Sequence, residues 1–128
     1  MNGTELQDSA REMAEELPAS TVGHPFGPEH EVYKVRGKVF MLLTDVVGAP
    51  VVTLKAEPED STALRAAHEE ITPGYHMNKR HWITIGPGET VDRTLVRELV
   101  IDSYRLVVAG LPRAERPVDP DTFGAAPA

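Results

Sequence analysis

The chain has 128 residues, no cysteine and a formal net charge of −7 at pH 7. Its length suggests one domain, and the lack of cysteine excludes disulfides, Cys-ligated zinc and Cys nucleophiles. The acidic balance argues against a nucleic-acid binder that works through bulk charge.

Hydrophobic residues make up 41% of the chain but aromatics only 5%, so the core is expected from Val, Leu, Ile and Ala. The longest apolar runs, VFMLL and RLVVAGLP, are too short to span a bilayer. The start, MNGTELQDSAREMAEEL, has neither the basic nor the apolar region of a signal peptide. A soluble cytoplasmic protein is expected.

The first helix is predicted from about Glu5 to Leu17, with Thr4 and Gln7 as a capping box and Leu6, Ala10, Met13, Ala14 and Leu17 as its apolar stripe. Pro18 stops it. ASTVGHPFGPEHE reads as a loop or irregular strand. EVYKV and KVFMLL flank Arg36-Gly37 and predict a β-hairpin, with Gly37 supplying the positive φ of a tight turn. VVTLK is a third strand. A helix follows in AEPEDSTALRAAHEEI, with Pro58 in its first turn and Ala63, Leu64 and Ala67 directed at the core. YHMNKRHWITI alternates and predicts a strand. The last helix is capped by Thr90 or Asp92 and runs to about Ala109. Its stripe is Leu95, Val96, Leu99, Val100, Ser103, Val107 and Val108, and Gly110 is its C-terminal cap. Residues 113–128 are rich in Pro, Asp and Ala with little to bury, and read as a flexible tail behind a domain of residues 1–112. This order gives an α+β fold of two layers, a mainly antiparallel sheet with helices on one face and the other face open to water.

Charge is unevenly spread. Residues 1–30 carry six acids and one base, whereas residues 31–82 carry seven of each. Apart from Arg65, the bases of that middle section are clustered as Lys34, Arg36 and Lys38, then Lys55, then Lys79 and Arg80. TPGYHMNKRHW, residues 72–82, also holds the only Trp and two of the five His. Read as a strand, it puts Asn78, Arg80, Trp82 and Thr84 on one face and Met77, Lys79, His81, Ile83 and Ile85 on the other. Trp82 beside Arg80 makes a stacking and cation–π platform. The same pattern fits a Trp82 that covers the far side of the sheet with the Arg80 stem packed over it. His76 and His81 fall on opposite faces of such a strand and cannot share a metal unless MNKR forms a loop, and no carboxylate stands in a recognised ligand spacing with them. The basic hairpin can reach a phosphate backbone; it also fits ordinary protection of an edge strand by charge. No serine sits in a nucleophile elbow, and no phosphate-binding loop is present. No enzyme activity, metal or cofactor is expected.

The blocks FGPEHEVYKVRGKVFMLL, VTLKAEPE, TPGYHMNKRHW and DSYRLVVAGLP, in this order from about Phe26 to Pro112, resemble the MmcQ/YjbR-like family. The resemblance implies a secretion-chaperone-like α-β(3)-α-β(2)-α fold and a DNA-binding-like domain with a double wing of hairpins. The wings are then the hairpin around Arg36-Gly37 and the segment His76–Trp82. It supplies no catalytic residue. On this reading Lys34, Arg36, Lys38, Lys79 and Arg80 contact DNA phosphates. The alternative is a protein- or small-anion-binding module that uses the open sheet face, with Tyr75, His76, Asn78, His81 and Trp82 as its partner-binding residues. Either way, a monomer or weak homodimer away from membranes is expected.

Overall fold

The computed structural model describes residues 1–45, 48–74 and 77–124. In chain order the elements are α1 (Gly3–Glu15), β1 (Ser20–Gly23), β2 (His30–Val35), β3 (Lys38–Thr44), β4 (Val51–Lys55), α2 (Pro58–Ala67), β5 (Ile71–Pro73), β6 (Trp82–Ile85) and α3 (Arg93–Ala109). The strands form one antiparallel sheet in the order β1-β2-β3-β4-β6-β5. The α+β class is therefore as expected, with one strand more than the α-β(3)-α-β(2)-α pattern. Ser20–Gly23, within the stretch read as loop or irregular strand, pairs along β2.

The α1 cap differs from the predicted one. Asn2, not Thr4, caps the helix: its side chain accepts from the Glu5 N–H at 2.8 Å, and the Glu5 carboxylate accepts from the Asn2 N–H. Asn-x-x-Glu and Thr-x-x-Gln overlap here with the same spacing. Gln7 is needed elsewhere, because its amide donates to the carbonyls of Thr44 and Val51 at the ends of β3 and β4. Arg11 then clamps α1 to β2 by donating to both oxygens of Glu31.

The β2–β3 hairpin turns at Arg36 and Gly37, both with positive φ (49° and 82°). Two successive left-handed residues make a type I′ turn, whose twist matches that of the flanking strands. A bulge follows: Tyr33 pairs with Met41 but Lys34 with Val39. Phe40 is the extra residue. Its carbonyl accepts instead from the buried Ser103 hydroxyl of α3, which also accepts from the Lys55 N–H. Ser103 thus ties α3 to β3 and β4 at once.

α1 and α3 pack together on one face of the sheet. Ala10 and Ala14 let them approach closely, and Val96, Val100, Tyr104 and Val108 fill the space over Val35, Phe40, Leu54 and Ile83. An aromatic series crosses this core: Tyr33 to Phe40 at 6.4 Å, Phe40 to Tyr104 at 5.5 Å and Tyr104 to Phe123 at 5.6 Å between ring centroids. Residues 113–124, expected to begin a loose tail, therefore bring anchors with them. Phe123 and Val118 pack against the core, and the Arg105 guanidinium donates to the Pro120 carbonyl. The α3 boundaries agree with the stripe read from sequence, and Asp92 is its cap.

The expectation for α2 needs correction. Ala63 and Ala67 are exposed and Leu64 is only half-buried. The one fully buried residue of this helix is Ser61. Among the described residues, no helix is long and apolar enough to cross a membrane.

Candidate functional site

The strand registers sort the sheet into two faces. Glu31, Tyr33, Val35, Met41, Leu43, Val52, Leu54, Ile83 and Ile85 point toward the helices. Val32, Lys34, Leu42, Thr44, Val51, Thr53, Lys55, Thr72, Trp82 and Thr84 point away from them. This outer set contains no carboxylate, and its only charges are Lys34 and Lys55. The acids sit on the helices instead, for example Glu5, Asp8, Glu12 and Glu15 on α1 and Glu98 and Asp102 on α3. A chain of net charge −7 therefore has one face without negative side chains on its strands.

The outer face is less open than a bare two-layer pattern suggests. Thr53 and Thr84 are buried at its centre with their hydroxyl oxygens 3.1 Å apart. Met77 and Lys79 line one cavity, of about 590 Å³, together with Val51, Thr72 and Thr84. The turn that carries them leans over the face.

That turn is not the strand predicted from alternation. β6 begins only at Trp82. Before it, the Asn78 side-chain oxygen accepts from the Arg80 N–H at 2.9 Å, and the His81 N–H donates to the Asn78 carbonyl at 3.1 Å. A short amide that satisfies the backbone two residues on makes a tight turn. The His81 carbonyl in turn accepts from the Ala56 N–H just past β4. Asn78 and Arg80 therefore do not share a strand face with Trp82. Asn78 shapes the turn, and Lys79 and Arg80 are exposed within it. His81, also exposed, is tied in through its backbone. Tyr75 and His76 lie outside the described residues.

Gly74 sets how the chain enters this region. Its N–H donates to the Trp82 carbonyl at 2.8 Å, and a Cβ on it would stand 2.5 Å from the Trp82 Cβ. Only glycine fits so close an approach.

The basic residues meet at one end of the sheet. Lys38 opens β3, Lys55 closes β4 directly opposite Trp82, and Trp82 opens β6 behind the 77–81 turn. Within the sheet the hairpin axis and the start of β6 are two and a half inter-strand spacings apart, about 12 Å at about 4.8 Å each. Of the expected residues, Lys34 and Trp82 stand at this end of the outer face, and Lys79 and Arg80 are exposed in the turn before β6. Lys38 pairs with Val35, whose side chain points toward the helices, so the register sets it on the opposite face from Lys34. Arg36 leaves the group as well. Its guanidinium donates to the Glu115 carbonyl at 3.1 Å on the helix side of the sheet, so it does not share a face with Lys34. Lys55 was missing from the predicted set. Its alternation with Val51 and Thr53 was visible in the sequence, but the β4–β6 pairing that sets it beside Trp82 was not.

Glu69 and Glu70 border the cavity, and Glu70 is already engaged. Its carboxylate accepts from the hydroxyl and N–H of Thr90 and from the N–H of Val91. Burial pushes its pKa upward, but these hydrogen bonds outweigh it and hold the group at about 2. It is a structural anion, unsuited to accept protons at neutral pH.

The family model described as YjbR matches residues 15–106. The chain is 42% identical to the uncharacterized protein YbdF of Escherichia coli O157:H7, over 91% of this chain and 95% of that one. It is 34% identical to the uncharacterized protein YjbR of Escherichia coli strain K12, over 65% of this chain and 70% of that one. Among solved structures, the Deinococcus radiodurans protein DR2400, a DUF419 domain, superimposes with a TM-score of 0.81 at 35% identity, covering 94% of each chain.

Proposed function

The chain belongs to the YjbR family, and from the charge layout of its sheet we propose that it is a binding module, not an enzyme, that holds the phosphate backbone of duplex DNA. The hairpin tip and the 77–81 turn act as the two wings. Lys34, Lys55, Lys79 and Arg80 contact phosphates, and Trp82 supports the surface between them. The observation that carries this reading is the charge layout of the outer face: Lys34 and Lys55 at one end of it, Lys79 and Arg80 in the adjoining turn, and no carboxylate on its strands. Such an arrangement attracts a polyanion locally and repels it elsewhere, which orients the encounter. Phosphate contacts of this kind position without specifying a sequence.

The test is fluorescence anisotropy on duplex DNA across a salt series. Affinity is expected to fall with salt at a log–log slope of about −0.9 per phosphate contact. Replacing Lys79 and Arg80 together with Ala is expected to flatten the slope by up to about 2. Absence of binding at low salt, or a slope unchanged by the double variant, overturns the reading.

A second reading rests on the cavity beside the turn. There Lys79 shares the lining with the apolar Val51, Pro73 and Met77, and of the two bordering carboxylates Glu70 is already taken up by Thr90 and Val91, which leaves Lys79 to receive the anionic end of a small ligand with an apolar body. Asn78, His81 and Trp82 are the described residues of the expected partner-binding set that a protein or small-anion partner would engage. Saturable thermal stabilisation by an anionic metabolite, abolished by Lys79→Ala in a protein that does not bind DNA, would favour it.

A further inference from the structure

The helix layer contains a groove that the DNA reading does not use. α2 contributes Asp60, Ala63, Leu64 and Ala67 to it; α3 contributes Leu95, Glu98, Leu99 and Asp102. Both sets step i, i+3, i+4, i+7, the spacing of a stripe along one helix face. The groove between them measures about 410 Å³. Its floor is apolar, and the alanines of α2 would allow a third helix backbone to approach within the usual 8–10 Å. Its rim is acidic: Asp60, Glu98 and Asp102 line it, with no Lys or Arg among the lining residues. Arg105 lies 3.9 Å from Asp102, toward the neighbouring cleft that both residues line. Burial raises the Asp102 pKa; Arg105 counters this, and Asp60 and Glu98 add to it. The three carboxylates repel one another across an apolar floor.

We propose that this groove docks a basic amphipathic helix of a partner protein, its apolar stripe over Leu64 and Leu99 and its Lys or Arg side chains against Asp60, Glu98 and Asp102. Helix-in-groove recognition needs these two elements, an apolar trough and a complementary rim. A second copy of this chain is disfavoured as occupant, because α1, α2 and α3 all present carboxylates at their surfaces. The groove is in the helix layer, whereas Lys34, Lys55 and Trp82 are on the other side of the sheet, so both surfaces can be occupied together.

The test uses the full chain, isotope-labelled, titrated with two synthetic peptides of about 16 residues, long enough to form a helix on binding. Both contain only Leu, Lys and Ala in equal proportion. One places Leu at i, i+3, i+4 and i+7; the other spreads the same Leu around the helix. The patterned peptide is expected to shift the amides of α2 and α3 and to bind at least about tenfold more tightly than the scrambled one. Ala67→Arg, at an exposed position, is expected to weaken the patterned peptide by at least about tenfold while the circular dichroism and urea midpoint stay parental. Equal binding of the two peptides overturns the proposal, since charge alone then accounts for it. So do shifts centred on α1, an unaffected Ala67→Arg variant, or no binding of the patterned peptide.

Discussion

α2 and α3 flank the same groove and carry the same kind of apolar stripe, yet they are attached to the protein by different forces. α3 buries seven residues, from Val96 to Val108, in the core. α2 buries only Ser61, and its C-terminal end is held by polar contacts. The His68 ring nitrogen Nδ1 lies 2.8 Å from the Thr90 hydroxyl, and Glu70, just beyond, binds Thr90 and Val91 ahead of α3. One helix is secured by apolar burial, which is insensitive to pH. The other is secured through the Glu70 carboxylate, which is not.

Truncation inside α3 gives the largest effect. Tyr104→Ala removes a ring seated between Phe40 and Phe123 and a hydroxyl that donates to the Pro18 carbonyl at 2.6 Å. A loss of about 3–5 kcal/mol is expected in urea denaturation. A loss under about 1 kcal/mol would mean that α3 is not the principal apolar anchor.

Glu70→Gln comes next. It keeps the size but removes the charge that three donors serve, and a loss of about 1–3 kcal/mol at pH 7 is expected. The pH dependence sharpens the contrast. The folded pKa of Glu70 is depressed from 4.5 to about 2, so its contribution is complete above 4.5 and is lost as pH falls through about 2. Urea midpoints across that window are expected to fall more steeply for the parent than for Glu70→Gln. Parallel curves would show that the carboxylate hydrogen bonds do not hold the α2 end.

Phe123→Ala tests how far the segment after α3 extends its anchorage. The ring is half-buried against Tyr104, and a loss of about 1 kcal/mol is expected by thermal or urea melting. No change would return residues 113–124 to the loose tail that their composition suggests. The smallest effect belongs to α2: Ala67→Gln, at an exposed site, is expected to stay within about 0.5 kcal/mol. A loss of 2 kcal/mol or more would place Ala67 in a core, as its position in the stripe first implies.

The same pair explains what could be read from the sequence. A helical stripe says which face of a helix is apolar, not whether anything covers it. Leu99 and Ala67 look alike in sequence and differ only in their neighbours. The hairpin was legible because Gly37 announces its turn, and β1 was obscured by the Pro and Gly residues just after it. At the candidate site, clustering of bases was visible, but directions were not. Arg36 leaves the group through one hydrogen bond to Glu115, and Lys55 joins it through the β4–β6 register. Alternation in MNKRH imitated a strand because a five-residue stretch cannot reveal that Asn78 bonds locally to the Arg80 N–H. Long-range pairing and side-chain direction are tertiary properties, and local pattern does not encode them.

The position of Trp82 has a practical consequence for observing this molecule. It is the only Trp in the chain, and it stands half-buried at the cationic end of the outer face, across the sheet from the Tyr33–Phe40–Tyr104–Phe123 series. Excited at the red edge of its absorption, where tyrosine is silent, the indole becomes a built-in optical probe of that one surface. A stacked base would quench it and a displaced water shell would shift its emission to the blue, without any label attached. A helix entering the α2–α3 groove would leave the emission unchanged, so a single spectrum can tell the two surfaces apart.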